Sequence, residues 1–347
     1  MHSFTLRAAL IALALLAFLV AAPAATAQGS GVLEGQVVNG TQGGPAIGSG
    51  VNVTLRAFQN GIELNVQQAA TGDDGRFRFE GLDTDSALEY WLEADYLDVN
   101  YAEQEPYAFA EGEETLSATV SVYETTTDDS TVRIGSVHMI AESFGQAMRV
   151  TEIHLLSNSG DRTFVGEPGE GDTPFTVSIP LPDGAVGFAL GEGMAADRFV
   201  EVEGGLSDTD PVPPGQETSM VFFSYHLMVT GDAVELEREF SYPVDILNIL
   251  VAQPGLELES EQLESRGAQL FQGRQYGFFA ATDLPAGSPV VMNLLPVAGA
   301  DTAPSMPGAE PAPSASAGGP SDSTQVALRW IGLALSLVAV VAAFVYP

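Results

Sequence analysis

Three histidines, His138, His154 and His226, stand in stretches of alternating apolar and polar residues. Met139 follows His138, and Met220 and Met228 fall on the strand face of His226. Imidazole and thioether are borderline-to-soft ligands, a set that selects copper in a chain without thiolates. A metal centre built from His138, His154, His226 and Met228 is therefore one expectation. No H-x-H or M-x-x-M spacing supports it, and Met or His beside Phe222, Phe223 and Tyr225 equally fills a β-sheet core.

Two other constellations invite chemistry. Tyr90, Trp91, Tyr96 and Tyr101 cluster closely enough to form a face on which sugars stack, although aromatics in strands fill cores just as readily. Asp73-Asp74, Asp83-Thr84-Asp85 and Asp208-Thr209-Asp210 offer oxygen ligands, yet none continues into a full calcium loop. Paired carboxylates also hydrolyse glycosides when about 5–10 Å apart.

Much other chemistry is excluded by residue type. The chain has no Cys, which removes disulfides, thiolate metal sites and cysteine nucleophiles. All its basic residues are Arg. No G-x-S-x-G elbow places a serine, and the glycine-rich stretch 40–50 lacks the Lys of a phosphate loop. A net charge of −34 disfavours nucleic acid, which demands clustered cations. The expectation is a protein with no catalytic residues and no cofactor.

The elements that must position these residues read as strands. Asp74-Gly75 is a strong turn pair, and Phe77 and Phe79 then alternate with Arg76, Arg78 and Glu80. Val53 and Leu55, then Ile62, Leu64 and Val66, then Tyr90, Leu92 and Ala94 show the same period. The segment 116–123 ends a first set of strands, and Thr125 to Ser130 reads as a polar break. Some ten short strands follow to residue 297, among them 132–140, 149–156, 220–229, 246–251 and 276–280. They fit a second sandwich or one large sandwich with long loops. The loops 39–50 and 207–215 are the expected contact surfaces, since loops on a rigid scaffold usually carry function.

The motifs G-Q-V-V-N-G, V-N-V-T-L, T-G-D-D-G-R-F-R-F-E-G-L and Y-W-L-E-A, in that order, resemble a carboxypeptidase regulatory-like domain. That is a transthyretin-like, carbohydrate-binding-like β-sandwich found on many secreted proteins, and it implies fold rather than peptidase activity. Its kinship with carbohydrate-binding sandwiches is what favours a sugar ligand. The later pattern R-V-T-E-I-H-L-L-S-N-S-G-D-R-T-F-V-G, with P-V-P-P-G, F-F-S-Y and Y-P-V-D, is similar to a family of exported bacterial proteins with a C-terminal membrane anchor. No activity is assigned by those motifs.

The ends of the sequence give the expected location. Arg7, the apolar run 8–22 and the A-T-A ending at Ala27 read as a signal peptide cleaved before Gln28. Residues 298–324 are an Ala/Pro/Ser/Gly-rich linker, and the apolar 326–346 is long enough for one membrane helix. The expected organisation is all-β: signal peptide 1–27, regulatory-like β-sandwich 28–127, second β-sandwich region 128–297, linker 298–324 and transmembrane anchor 325–347. The expected function is a membrane-tethered extracytoplasmic binding or scaffold protein, contacting a surface protein or glycan. A copper-type metal-handling factor and a cell-surface carbohydrate-binding module are the alternatives.

Overall fold

The computed structural model describes residues 30–144, 146–168, 174–191, 193–271 and 273–297. The expected signal peptide, linker and membrane anchor lie outside them. The described chain is all-β, with one 3₁₀ turn at Ala196–Arg198. Among the described residues no helix is long and apolar enough to cross a membrane.

The first sandwich comprises β1 (Gly31–Asn39), β2 (Asn52–Gln59), β3 (Ile62–Ala70), β4 (Arg76–Leu82), β5 (Glu89–Tyr96), β6 (Val99–Ala102) and β7 (Thr115–Val122). They form two sheets, of order β4-β1-β7 and β3-β2-β5-β6. Phe77 and Phe79 face inward as their alternation predicts, joined by Leu33, Val53, Leu55, Leu92 and Val120 in one core. Gly75 has φ +74°, and a Cβ there would meet the carbonyl oxygens of Ile47 and Val37 near 3 Å. Only glycine fits that turn. Asn60 and Gly61, with φ of 52° and 75°, close the β2–β3 hairpin in the twist-compatible sense. One expectation fails in β3: Ile62, Leu64 and Val66 are exposed. The strand exists, but it hydrogen-bonds only to β2 and lies at the edge of its sheet.

The rest of the chain contributes β8 (Thr125–Thr126), β9 (Val132–Phe144), β10 (Ala147–Asn158), β11 (Thr163–Phe164), β12 (Glu167–Pro168), β13 (Pro174–Phe175), β14 (Val177–Pro180), β15 (Ala185–Leu190), β16 (Phe199–Val202) and β17 (Gly205–Asp208). It continues with β18 (Gly215–Met228), β19 (Val234–Arg238), β20 (Val244–Ala252), β21 (Leu256–Glu259), β22 (Glu264–Phe271), β23 (Arg274–Leu284) and β24 (Val290–Pro296). Seven strands make one large sheet, β15-β18-β10-β9-β20-β23-β22. Two three-stranded sheets, β14-β17-β16 and β19-β24-β21, pack on one of its faces. A single core joins them, with Val150 and Phe223 of the large sheet meeting Ile179, Leu236 and Met292. The region is thus one large sandwich. Thr125 and Thr126, read from sequence as a polar break, instead pair with Thr163 and Phe164.

Candidate functional site

In the interior of the large sandwich a cluster of charged and polar side chains meets at Glu152. This carboxylate projects from β10 into the core and is fully buried. Three donors converge on it: Arg238 Nη2 to Oε2 at 2.8 Å, Tyr225 OH to Oε1 at 2.7 Å, and His154 Nε2 beside Oε2 at 2.8 Å. Burial alone would push the Glu152 carboxyl up, but the Arg238 charge and the His154 and Arg238 hydrogen bonds hold it at about 2. Burial and the adjacent carboxylate push the Tyr225 phenol well above its ordinary value.

The positions follow from strand geometry. Glu152 and His154 are two residues apart on β10, hence on one face. Tyr225 lies on the neighbouring β18, and Arg238 ends β19 in the facing sheet. Arg238 Nη1 donates to the Pro180 carbonyl at 2.7 Å, at the end of β14. One guanidinium therefore ties the large sheet to both small ones. Its Nε has no hydrogen-bond partner, and its face lies 5.3 Å from the Phe240 ring centre. His154 packs edge-on against Phe223 and Phe240. Glu152 is ionised and sealed from solvent, so it reaches no substrate and donates no proton at neutral pH. The arrangement clamps sheets. E-x-H on an inward strand face was a legible signal for half of it; the Arg238 partner, remote in sequence, was not.

A second buried pair acts similarly. Arg198 Nε donates to Asp208 Oδ1 at 2.6 Å, and Arg198 also pairs with Asp210. Asp208 Oδ1 accepts the Asp210 backbone N–H as well. This D-x-D is occupied by an arginine rather than open to calcium. The loop that contains it, expected to be a contact surface, is packed inward: Val212 is fully buried and bridges Phe164.

The proposed metal set is not assembled. His154 faces the core with Glu152, while His138, flanked by the core residues Val137 and Met139, points to the opposite face of the sheet. His226 and Met228 share that outer face, but the registers place His226 two strands and four residues from His138. By strand spacing that is roughly 16 Å. Among the described residues no three His, Cys, Asp or Glu side chains are placed to hold a metal ion. His138 is buried, its Nε2 lacks a hydrogen bond, and burial, with the nearby His154, lowers its pKa to about 4.

The four aromatics do not form a stacking face. Tyr90 and Tyr101 are core residues. Tyr90 OH donates to the Asp83 carbonyl at 2.7 Å. Tyr101 OH donates to the Tyr123 carbonyl at 2.9 Å and lies 2.8 Å from Thr163 Oγ1 in the large sandwich. Tyr96 OH donates to Glu124 Oε1 at 2.8 Å, which also accepts from Asn39 Nδ2. Burial and Glu124 together raise the Tyr96 phenol to about 12. Trp91 is half-buried opposite Arg56 on the outer face of its sheet. Tyr96 and Tyr101 thus build the junction between the sandwiches. Thr41 Oγ1 to the Asp161 carbonyl at 2.7 Å and Gln42 N–H to Asp161 Oδ2 at 2.9 Å complete it from the loop after β1. The first sandwich also carries an open groove of about 440 Å³ between β3 and β4, lined by Glu34, Gly35, Ala69, Ala70, Arg76, Phe77 and Arg78.

No protein-family model matches this sequence, and no curated protein matches it. Among solved structures, the full-length major pilin SpaD from Corynebacterium diphtheriae is similar at 10% identity and a TM-score of 0.23, over 77% of this chain and 86% of the pilin. A DUF3823 family protein from Parabacteroides merdae is similar at 15% identity and a TM-score of 0.18, over 60% of this chain and 89% of its own. Both likenesses are distant, and the all-β, sandwich-type architecture rests on the chain's own strand pairings.

Proposed function

We propose that the chain is a membrane-tethered extracytoplasmic scaffold that presents two fixed β-sandwiches to a surface protein or glycan and transforms neither. One observation supports this reading most. The side chains best suited to chemistry, Glu152, His154, Arg198, Arg238, Tyr96 and Tyr101, are engaged in holding sheets and sandwiches together. The junction binds backbone and side chain from both sides, which favours a fixed relative pose over freely jointed domains.

The first sandwich is read as carboxypeptidase regulatory-like. In support, its V-N-V-T-L falls on β2, its D-D-G turn leads into β4, and its Y-W-L-E-A lies on β5. The tether is the apolar segment 326–346 behind a Pro/Ala/Ser/Gly linker, which raises the effective concentration of a weak binder near its surface.

The test is capture and turnover by purified residues 28–297. Retention of a glycan or a membrane protein, without hydrolysis of glycan, peptide or ester substrates, is the expected result. Turnover that disappears when one acidic pair is changed to amides would overturn the reading.

A further inference from the structure

We infer that one internal water molecule is bound between His138 and Asn248, bridging β9 and β20 on the outer face of the large sheet. The inference lies outside the scaffold reading and does not depend on it. Among the described residues, three buried side-chain atoms have no hydrogen-bond partner: His138 Nε2, Arg238 Nε and Asn248 Oδ1. Two of the three stand at one place. Asn248 is the register partner of His138, so the two side chains leave the same face of the sheet side by side. Each residue is only 5% exposed. Buried polar atoms are satisfied in the great majority of cases, and two orphans at one register position call for one shared partner.

The neighbouring side chains do not supply it. Across the sheet the same row continues into Ile153 on β10 and Ala280 on β23. Two residues along in one direction are Ile140 and Leu250, both apolar. Two residues along in the other are Ile246 and Ser136, whose hydroxyl donates to Glu217 Oε1 at 3.0 Å. Arg238 Nε, the third orphan, lies on the inner side of the sheet with Glu152.

The two atoms define the ligand. Asn248 Oδ1 only accepts, and Nε2 of a neutral imidazole donates or accepts according to its tautomer. Water answers both cases: it accepts from Nε2–H and donates to Oδ1, or it donates to both. A buried water ordinarily holds roughly two to four such bonds. A metal ion would find one nitrogen and one oxygen, fewer than the three or four ligands of a protein site. A larger polar solute would leave its other groups against Ile140, Ile153 and Leu250.

The location gives the bridge a role. Among the described strands of the large sheet, β9 and β20 are the one parallel pair, and every other neighbouring pair is antiparallel. This seam joins β15-β18-β10-β9 to β20-β23-β22. Parallel ladders are slightly weaker per residue, and a bridging water adds a cross-strand tie nearly as good as a direct hydrogen bond. It ties the sheet on the face opposite the Glu152 clamp.

The full-length chain has four His, so isotope labelling of histidine in the detergent-solubilised protein resolves the His138 ring. Cross-relaxation between that ring and water reports a resident molecule. The expected result is a long-lived water at His138 that is lost in Asn248→Leu while the His226 signal is unmoved. A dry ring, a metal or other solute in the water's place, or a direct bond from Nε2 to Asn248 would overturn the inference. A stability cycle reads the shared partner independently. His138→Leu and Asn248→Leu each lower the urea midpoint, because each leaves the other's polar atom poorly satisfied. The double variant loses less than the sum, since neither atom then remains. Strictly additive losses would equally overturn it.

Discussion

In the first sandwich Arg56 reaches across an outer sheet face to Glu93 and Glu63, and Arg78 lies between Glu34 and Glu80 in solvent. In the second, Arg238 and Glu152 meet in the dry interior, and Arg198 meets a fully buried Asp208. The first core is apolar apart from tyrosine hydroxyls at its rim; the second is organised around an ion pair. A small two-sheet sandwich closes with alternation alone, because each strand faces one partner sheet. The larger one must hold two separate three-stranded sheets over seven strands. A guanidinium with five donors in a fixed fork can bind both small sheets to the large one, which an aliphatic side chain cannot do. Buried ion pairs are poor sources of net stability, and their defensible role is to specify one arrangement.

That contrast is broken most severely by removing one partner. Arg238→Met should cost about 3–5 kcal/mol in denaturant unfolding, because it strands the Glu152 carboxylate without its counter-charge. Adding Glu152→Leu should recover much of the loss, since the uncompensated charge is then gone. Phe79→Ala is the matching lesion in the apolar core and should cost about 3–5 kcal/mol. Here no second substitution of a polar group should rescue. Arg56→Gln, at an outer-face pair, should cost less than about 1 kcal/mol. An Arg56 effect as large as that of Arg238 would erase the distinction.

The sequence displayed the two architectures unequally. Phe77 and Phe79 between arginines fixed which face of β4 is buried, and Leu116, Ala118, Val120 and Val122 did the same for β7. β3 shows the limit: period 2 reports a strand, but Ile62, Leu64 and Val66 are exposed because only pairing topology decides which strand ends a sheet. β21 alternates Leu with Glu but is only four residues long, and the polar β22 carries too little apolar patterning to be read as a strand. For the histidines, type and neighbours were visible but facing was not. His138 and His154 are on adjacent strands yet on opposite faces, a fact that depends on register. Glu152 and His154 could be seen as neighbours, while Arg238 is 86 residues away and Tyr225 is 73. A buried charge cluster drawn from distant strands has no local signature.

The histidines also make the contrast measurable by pH. Residues 30–131 contain no His, whereas the large sandwich buries His138 with its pKa lowered to about 4. Above about pH 6.5 the residue is neutral in both folded and unfolded chains, and this stability is complete. Between there and about 4 the unfolded chain takes the proton and the folded one resists it, so stability falls as pH falls. Burial raises Glu103 in the first sandwich and Asp210 in the second, and both work in the opposite direction. Hydrogen exchange at pH 7.5 and pH 5.0, corrected for intrinsic rates, resolves the two sandwiches in one sample. The account predicts that protection across 132–297 weakens by about 2 kcal/mol on acidification, that 30–122 keeps its protection, and that His138→Leu abolishes the difference. Equal loss in both sandwiches, or an undiminished loss in the His138→Leu protein, would contradict it.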